Sequence, residues 1–137
     1  MSESAMWDAI RPVLKKYHPT RIESPMSPGV PDVNYTYGWI ELKYLERWPV
    51  RPTTPVRIEH FTKHQRVWLT RRVVAGGRAF LLLKVGMGSD SEWLLFNGRV
   101  AAENIDLCNK EQLTRICLGR WLRLPRIEEL ERWILED

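Results

Sequence analysis

Residues 78–85 constrain the fold most. Phe80-Leu81-Leu82-Leu83 forms an unbroken apolar centre between Gly76-Gly77 and Gly86. A run this short, closed by glycines, predicts a strand buried on both faces, and such a strand needs a packed layer on each side of its sheet. The return strand is predicted over 92–96, after a turn at 86–90 and before Asn97-Gly98.

The flanking segments supply those layers. Met6, Ile10, Val13, Leu14 and Tyr17 have helical spacing over 4–17, with Pro12 as a kink or a late start and His18-Pro19 as the stop. Residues 20–23 predict a short strand, and 24–31, with three prolines and a glycine, a loop. Val33, Tyr35 and Tyr37 alternate with polar residues, Gly38 marks a turn, and 39–44 is the partner strand. Residues 47–55 hold three prolines and predict an extended, exposed connection. Thr62 is a plausible N-cap for a helix over 63–75 that Gly76-Gly77 stops. Helices are predicted near 110–118 and over 125–135. The expected fold class is therefore α/β (α+β): one domain, 1–137, with a central mixed β-sheet flanked by helices. Its core lies at about 20–97 and its C-terminal helical part at about 104–136.

Composition excludes several classes. The chain of 137 residues has no long apolar run and only two cysteines, Cys108 and Cys117. A membrane span, a secreted disulfide framework and a four-ligand zinc finger are not expected, and a cytoplasmic location is. The net charge of +4 is unevenly spread. Residues 43–72 carry eight Lys/Arg against Glu46 and Glu59, whereas 126–137 carries two positive and five negative residues. The basic stretch suits a polyanion.

The candidate chemistry lies at Asp32, Glu41 and Lys43. Alternate strand residues share a face, so Glu41 and Lys43 point one way and Ile40 and Leu42 the other. Folding Asp32 back across a turn at 36–37 sets it opposite Glu41. A turn at 37–38 sets it opposite Lys43. Both registers place all three side chains on one face, with cross-strand neighbours about 5–8 Å apart. Two carboxylates that close call for positive charge between them. A hard divalent cation, Mg²⁺ with Mn²⁺ as substitute, fits two carboxylates plus substrate phosphate and water. The implied reaction is metal-assisted phosphodiester hydrolysis, with Lys43 stabilising developing charge or orienting water.

The run Ser27-Pro28-Gly29-Val30-Pro31-Asp32-Val33-Asn34, followed by Gly38-Trp39-Ile40-Glu41-Leu42-Lys43, resembles the core of the PD-(D/E)XK nuclease superfamily. Its Pro-Gly-Val-Pro-Asp lead is similar to virus-type replication-repair (VRR) nuclease domains and small bacteriophage-encoded nucleases. The resemblance spans about 22–85. It implies a restriction-endonuclease-like core, Asp32 and Glu41 as metal ligands with the Leu42 carbonyl as a further one, and Gln65 on the next helix as a support close to the metal. It also implies an upstream acid, for which Glu23 is preferred over Glu3. No organic cofactor is expected.

The basic stretch then has a use. Arg47, Arg51 and Arg57 on the proline-stiffened connection, and Lys63, Arg66, Arg71 and Arg72 on the helix, are candidate DNA-backbone contacts. Trp48 is a candidate platform for an unpaired base, and His60 and His64 are candidate phosphate or base contacts. The expected partner is branched, flap or junction DNA, with a homodimer as a possible assembly and the C-terminal apolar residues Trp121, Leu122, Leu124, Leu130, Trp133 and Ile134 either on the sheet or in that dimer interface. The alternatives are a non-catalytic DNA-binding or replication-accessory protein, and a restriction-type, sequence-specific nuclease.

Overall fold

The computed structural model describes residues 3–23 and 26–135. One six-stranded mixed sheet carries the strands in chain order, β1 (Thr20–Arg21), β2 (Val33–Tyr35), β3 (Gly38–Leu45), β4 (Ala79–Val85), β5 (Glu92–Asn97) and β6 (Gly119–Trp121). Only β3 and β4 run parallel, joined by helix α2 (Lys63–Val74), and every other neighbouring pair is antiparallel. All seven residues of β4 are buried. Phe80 and Leu82 enter one core, and Ala79, Leu81, Leu83 and Val85 enter the other. That is the two-faced burial its apolar run predicts.

The first face is covered by α1 (Glu3–Val13) through Met6 and Ile10, and by α5 (Ile127–Ile134) through Leu130 and Ile134. Trp121, Leu124 and Trp133 pack there as well, so the C-terminal apolar surface covers the sheet of its own chain, while Leu122 stays 64% exposed. The second face is covered by α2, α3 (Gly98–Asn104) and α4 (Lys110–Ile116) through Leu69, Ala101 and Leu113. Among the described residues no helix is long and apolar enough to cross a membrane.

Three boundaries differ from the sequence reading. The β2–β3 turn is at 36–37, the first of the two registers considered, but with Tyr35 opposite Gly38 the glycine opens a strand rather than marking the turn. A Cβ there would lie 2.5 Å from the Arg78 carbonyl oxygen, so the glycine serves a close backbone approach rather than a turn. Asn97 does not only end β5. Its side chain accepts from the N–H groups of Arg99 and Val100 and caps α3, a helix the sequence reading lacks. Finally, 119–121 is a strand added to β5, where only helix was expected.

Candidate active site

The β2–β3 register, with Val33 opposite Ile40, sets Asp32 opposite Glu41 one step further along. Asp32 lies just outside β2, where the Asp32 Oδ2 accepts the Leu42 backbone N–H at 2.9 Å. Side chain thus replaces backbone as the partner of β3 where β2 stops, which fixes the carboxylate against the strand that carries Glu41 and Lys43. Leu42 itself turns its side chain into the opposite core, fully buried.

The loop ahead of Asp32 is held by close packing. Gly29 has φ +88°, and a Cβ there would lie 2.4 Å from the His64 carbonyl oxygen. Only glycine allows both the conformation and that contact with the first turn of α2. The Pro-Gly-Val-Pro-Asp lead therefore docks on α2 and delivers Asp32 to the sheet.

Glu41 and Lys43 are each 1% exposed. Lys43 Nζ lies 3.2 Å from Glu41 Oε2 and 3.9 Å from Glu3 Oε2, and it donates to the His60 carbonyl oxygen at 2.9 Å. The Phe61 ring flanks the ammonium, 5.9 Å from its centroid. The Glu41–Lys43 contact is an ion pair, and among the described residues no other donor reaches the buried Glu41 oxygens. Burial and then the Asp32 charge push the Glu41 carboxyl up to about 8, against the opposing pull of Lys43. Burial also raises Glu3, opposed mainly by Lys43, with Asp32 pushing it further up. Arg21 Nη2 stands 4.0 Å from Asp32 Oδ1.

Glu41 and Glu3 thus converge on Lys43, and the Asp32 charge is close enough to act on both. Buried carboxylate oxygens short of donors are what a hard cation would satisfy, and the donor set is oxygen only, so the residues fit Mg²⁺ or Mn²⁺. Among the described residues no group of three or more His, Cys, Asp or Glu side chains is placed to hold a metal ion. Mg²⁺ does not require one, since it is commonly held by one or two carboxylates with water and substrate oxygens completing the shell.

Of the two candidate upstream acids, Glu3 is the one the structure places beside Lys43. Glu23 is exposed at the end of β1, with no hydrogen bond or ion pair among the described residues, whereas α1 docks through Met6 and Ile10 and so brings its first residue to Lys43. Arg21, the cation nearest to Glu23 in sequence, stands beside Asp32. Gln65 is half-buried on the first turn of α2, but its side-chain oxygen accepts the Thr62 N–H and its own N–H donates to Thr62 Oγ1, a capping box. Its oxygen is committed to the helix start rather than to the acids. His60 reaches the cluster through its carbonyl, which accepts from Lys43. Phe61 carries no sequence signal for its place beside Lys43.

The basic residues divide. Arg47, Arg51, Arg57, Lys63 and Arg71 are exposed. Arg66 is not a free backbone contact. Its guanidinium donates to the carbonyls of Phe61, Ala102 and Ile105 and to Asp106 Oδ2 at 2.8 Å, and it stacks on Phe61. It clamps α2 to the end of α3. Arg72 lies over the rings of Trp68 and Trp39 at 4.5 and 5.6 Å. Trp48 is also occupied: its indole N–H donates to Glu92 Oε1 at 3.0 Å, and Lys110 lies over its ring. It packs against the core and lines a separate depression beside α4.

No family model matches this chain, and no curated protein or solved structure matches it either.

Proposed function

We propose that this protein is a divalent-cation-dependent DNA endonuclease of PD-(D/E)XK type that hydrolyses phosphodiester bonds, preferentially in branched, flap or junction DNA. The observation that carries the reading is the Glu41 carboxylate, buried with Lys43 as its only donor among the described residues and raised by that burial and the nearby Asp32 charge. A buried carboxylate in that state costs stability, and a catalytic site is where such a cost has a use.

In this reading Asp32, Glu41 and the Leu42 carbonyl hold Mg²⁺ or Mn²⁺. When bound, that ion polarises the phosphate and supplies a nucleophilic water. The chain's own part is positional and electrostatic. The Leu42 N–H holds the Asp32 carboxylate in place. The His60 carbonyl and Glu41 fix the Lys43 ammonium, which stabilises negative charge developing on the phosphate oxygens. Glu3 holds Lys43 from the other side. The exposed cations Arg47, Arg51, Arg57, Lys63 and Arg71 bring the DNA backbone to the site.

The test is cleavage of labelled single-stranded, duplex, flap and four-way-junction DNA in Mg²⁺, Mn²⁺ or EDTA, with Lys43→Ala alongside. Metal-dependent cutting, fastest on branched substrates and lost in the variant, is expected. Binding without cutting in every metal and on every substrate would instead favour a non-catalytic DNA-binding protein.

A further inference from the structure

A groove of about 700 Å³ runs along the outer face of α2, lined by Lys63, His64, Arg71 and Arg72 around the side chains of Val67 and Trp68. A second depression of about 350 Å³ lies against the start of β3, and the two share Arg72. The second adds His18, Tyr37 and Arg78. No Asp or Glu lines either one among the described residues. The combined track therefore has a single sign of charge, in a chain that nets only +4.

The apolar floor is a prepared aromatic stack. Trp68 and Trp39 pack edge to face at 5.2 Å, with the Arg72 guanidinium over both. Tyr37, 48% exposed, continues the aromatic surface on the neighbouring turn. Val67 is 41% exposed on the same helix face. Cations spaced along rings suit a polyanion whose flat bases are free to stack. A paired duplex hides its base faces, so it would leave the rings unused. Pro28 and His64, which line the groove, belong to the loop and helix turn that carry Asp32 to the sheet.

We propose that the α2 groove binds the unpaired arm of a DNA substrate, with phosphates on Lys63 and Arg71 and bases on the Trp68 side of the stack. This rests on the reading above that DNA is the substrate, and it replaces Trp48 with Trp68 as the stacking platform. The groove then supplies a reason for preferring flaps and branches, since only a substrate with a single-stranded arm fills it.

The test is fluorescence anisotropy in EDTA, where nothing is cut, with a labelled twelve-nucleotide oligo-dT and a blunt duplex of the same length. Lys63→Glu with Arg71→Glu should weaken oligo-dT binding at least tenfold and duplex binding much less. Arg11→Glu with Lys15→Glu, an equal charge change at exposed positions on the opposite sheet face, should leave oligo-dT within about twofold. Oligo-dT should quench tryptophan emission, and Trp68→Phe should remove most of that quench. Equal loss from both reversals, equal loss on duplex and oligo-dT, or a quench unchanged in Trp68→Phe would each overturn the proposal. The nuclease reading fails separately: a chain that binds oligo-dT through Lys63 and Arg71 but cuts nothing keeps the groove and loses the enzyme.

Discussion

Lys43 Nζ lies 3.2 Å from Glu41 Oε2 on a buried strand face, yet the pull of Lys43 does not offset the burial of that carboxyl. Glu41 is therefore raised from 4.5 to about 8, by burial first and the Asp32 charge second. A carboxyl whose folded pKa is raised contributes stability fully below its unfolded pKa, and that contribution is lost as pH rises through the folded value. In chelator, the wild-type melting temperature should thus fall between pH 4.5 and pH 8 relative to Glu41→Gln. The variant should be the more stable protein at pH 8, with the gap closing toward pH 5. Parallel melting-temperature profiles for the two proteins across this range would refute a protonated Glu41.

Removing Lys43 should separate chemistry from binding. Its side chain is 2% exposed and is held by the His60 carbonyl, so it adds little to the outer electrostatic surface. Lys43→Met should lower single-turnover cleavage by about 10²-fold or more, in the range for loss of a preorganised charge. The DNA dissociation constant should stay within about threefold. A large loss of affinity with cleavage otherwise intact would make Lys43 a DNA contact instead.

Glu3 and Glu23 make opposed forecasts. Glu3 stands 3.9 Å from Lys43 Nζ, while Glu23 is exposed and apart from the cluster. Glu3→Gln should reduce kcat/KM by about tenfold through the misplaced ammonium, an effect of the size seen for groups that orient a site. Glu23→Gln should leave the rate unchanged. The reverse pattern would return the upstream acid to β1.

Arg66 and Lys63 sit three residues apart on α2 and should behave differently. Arg66→Ala removes hydrogen bonds to three carbonyls and Asp106, leaving those acceptors short of a partner. The expected cost is about 2–3 kcal/mol in urea unfolding, with the salt dependence of DNA binding unchanged. Lys63→Ala should leave stability nearly unaltered and reduce the salt slope by about one.

Periodicity made much of this legible. β4 shows in its apolar run, α2 in Thr62 and the Gly76-Gly77 stop, and the shared face of Asp32, Glu41 and Lys43 in strand alternation. That shared face did not depend on which turn was correct. What escaped was set by tertiary contact. Gly119-Arg120-Trp121 is too short to show a period and becomes a strand by pairing with β5. Asn97-Gly98 reads as a strand terminator, and whether the asparagine also caps a helix depends on the backbone that follows. Glu3 is brought to Lys43 by the docking of α1, which sequence distance does not encode. A cation on a helix looks the same whether it faces solvent, as Lys63 does, or clamps a neighbouring segment, as Arg66 does.

The most direct test of the central claim, that these buried carboxylates form a cation site, is calorimetric titration of Mn²⁺ into the wild type and Asp32→Asn at neutral pH. Asparagine can still accept the Leu42 N–H, so the loop stays in place while the charge goes. The account predicts saturable Mn²⁺ binding by the wild type and an affinity at least about tenfold weaker in the variant. Equal affinity in the two proteins, or no binding by the wild type, would contradict it.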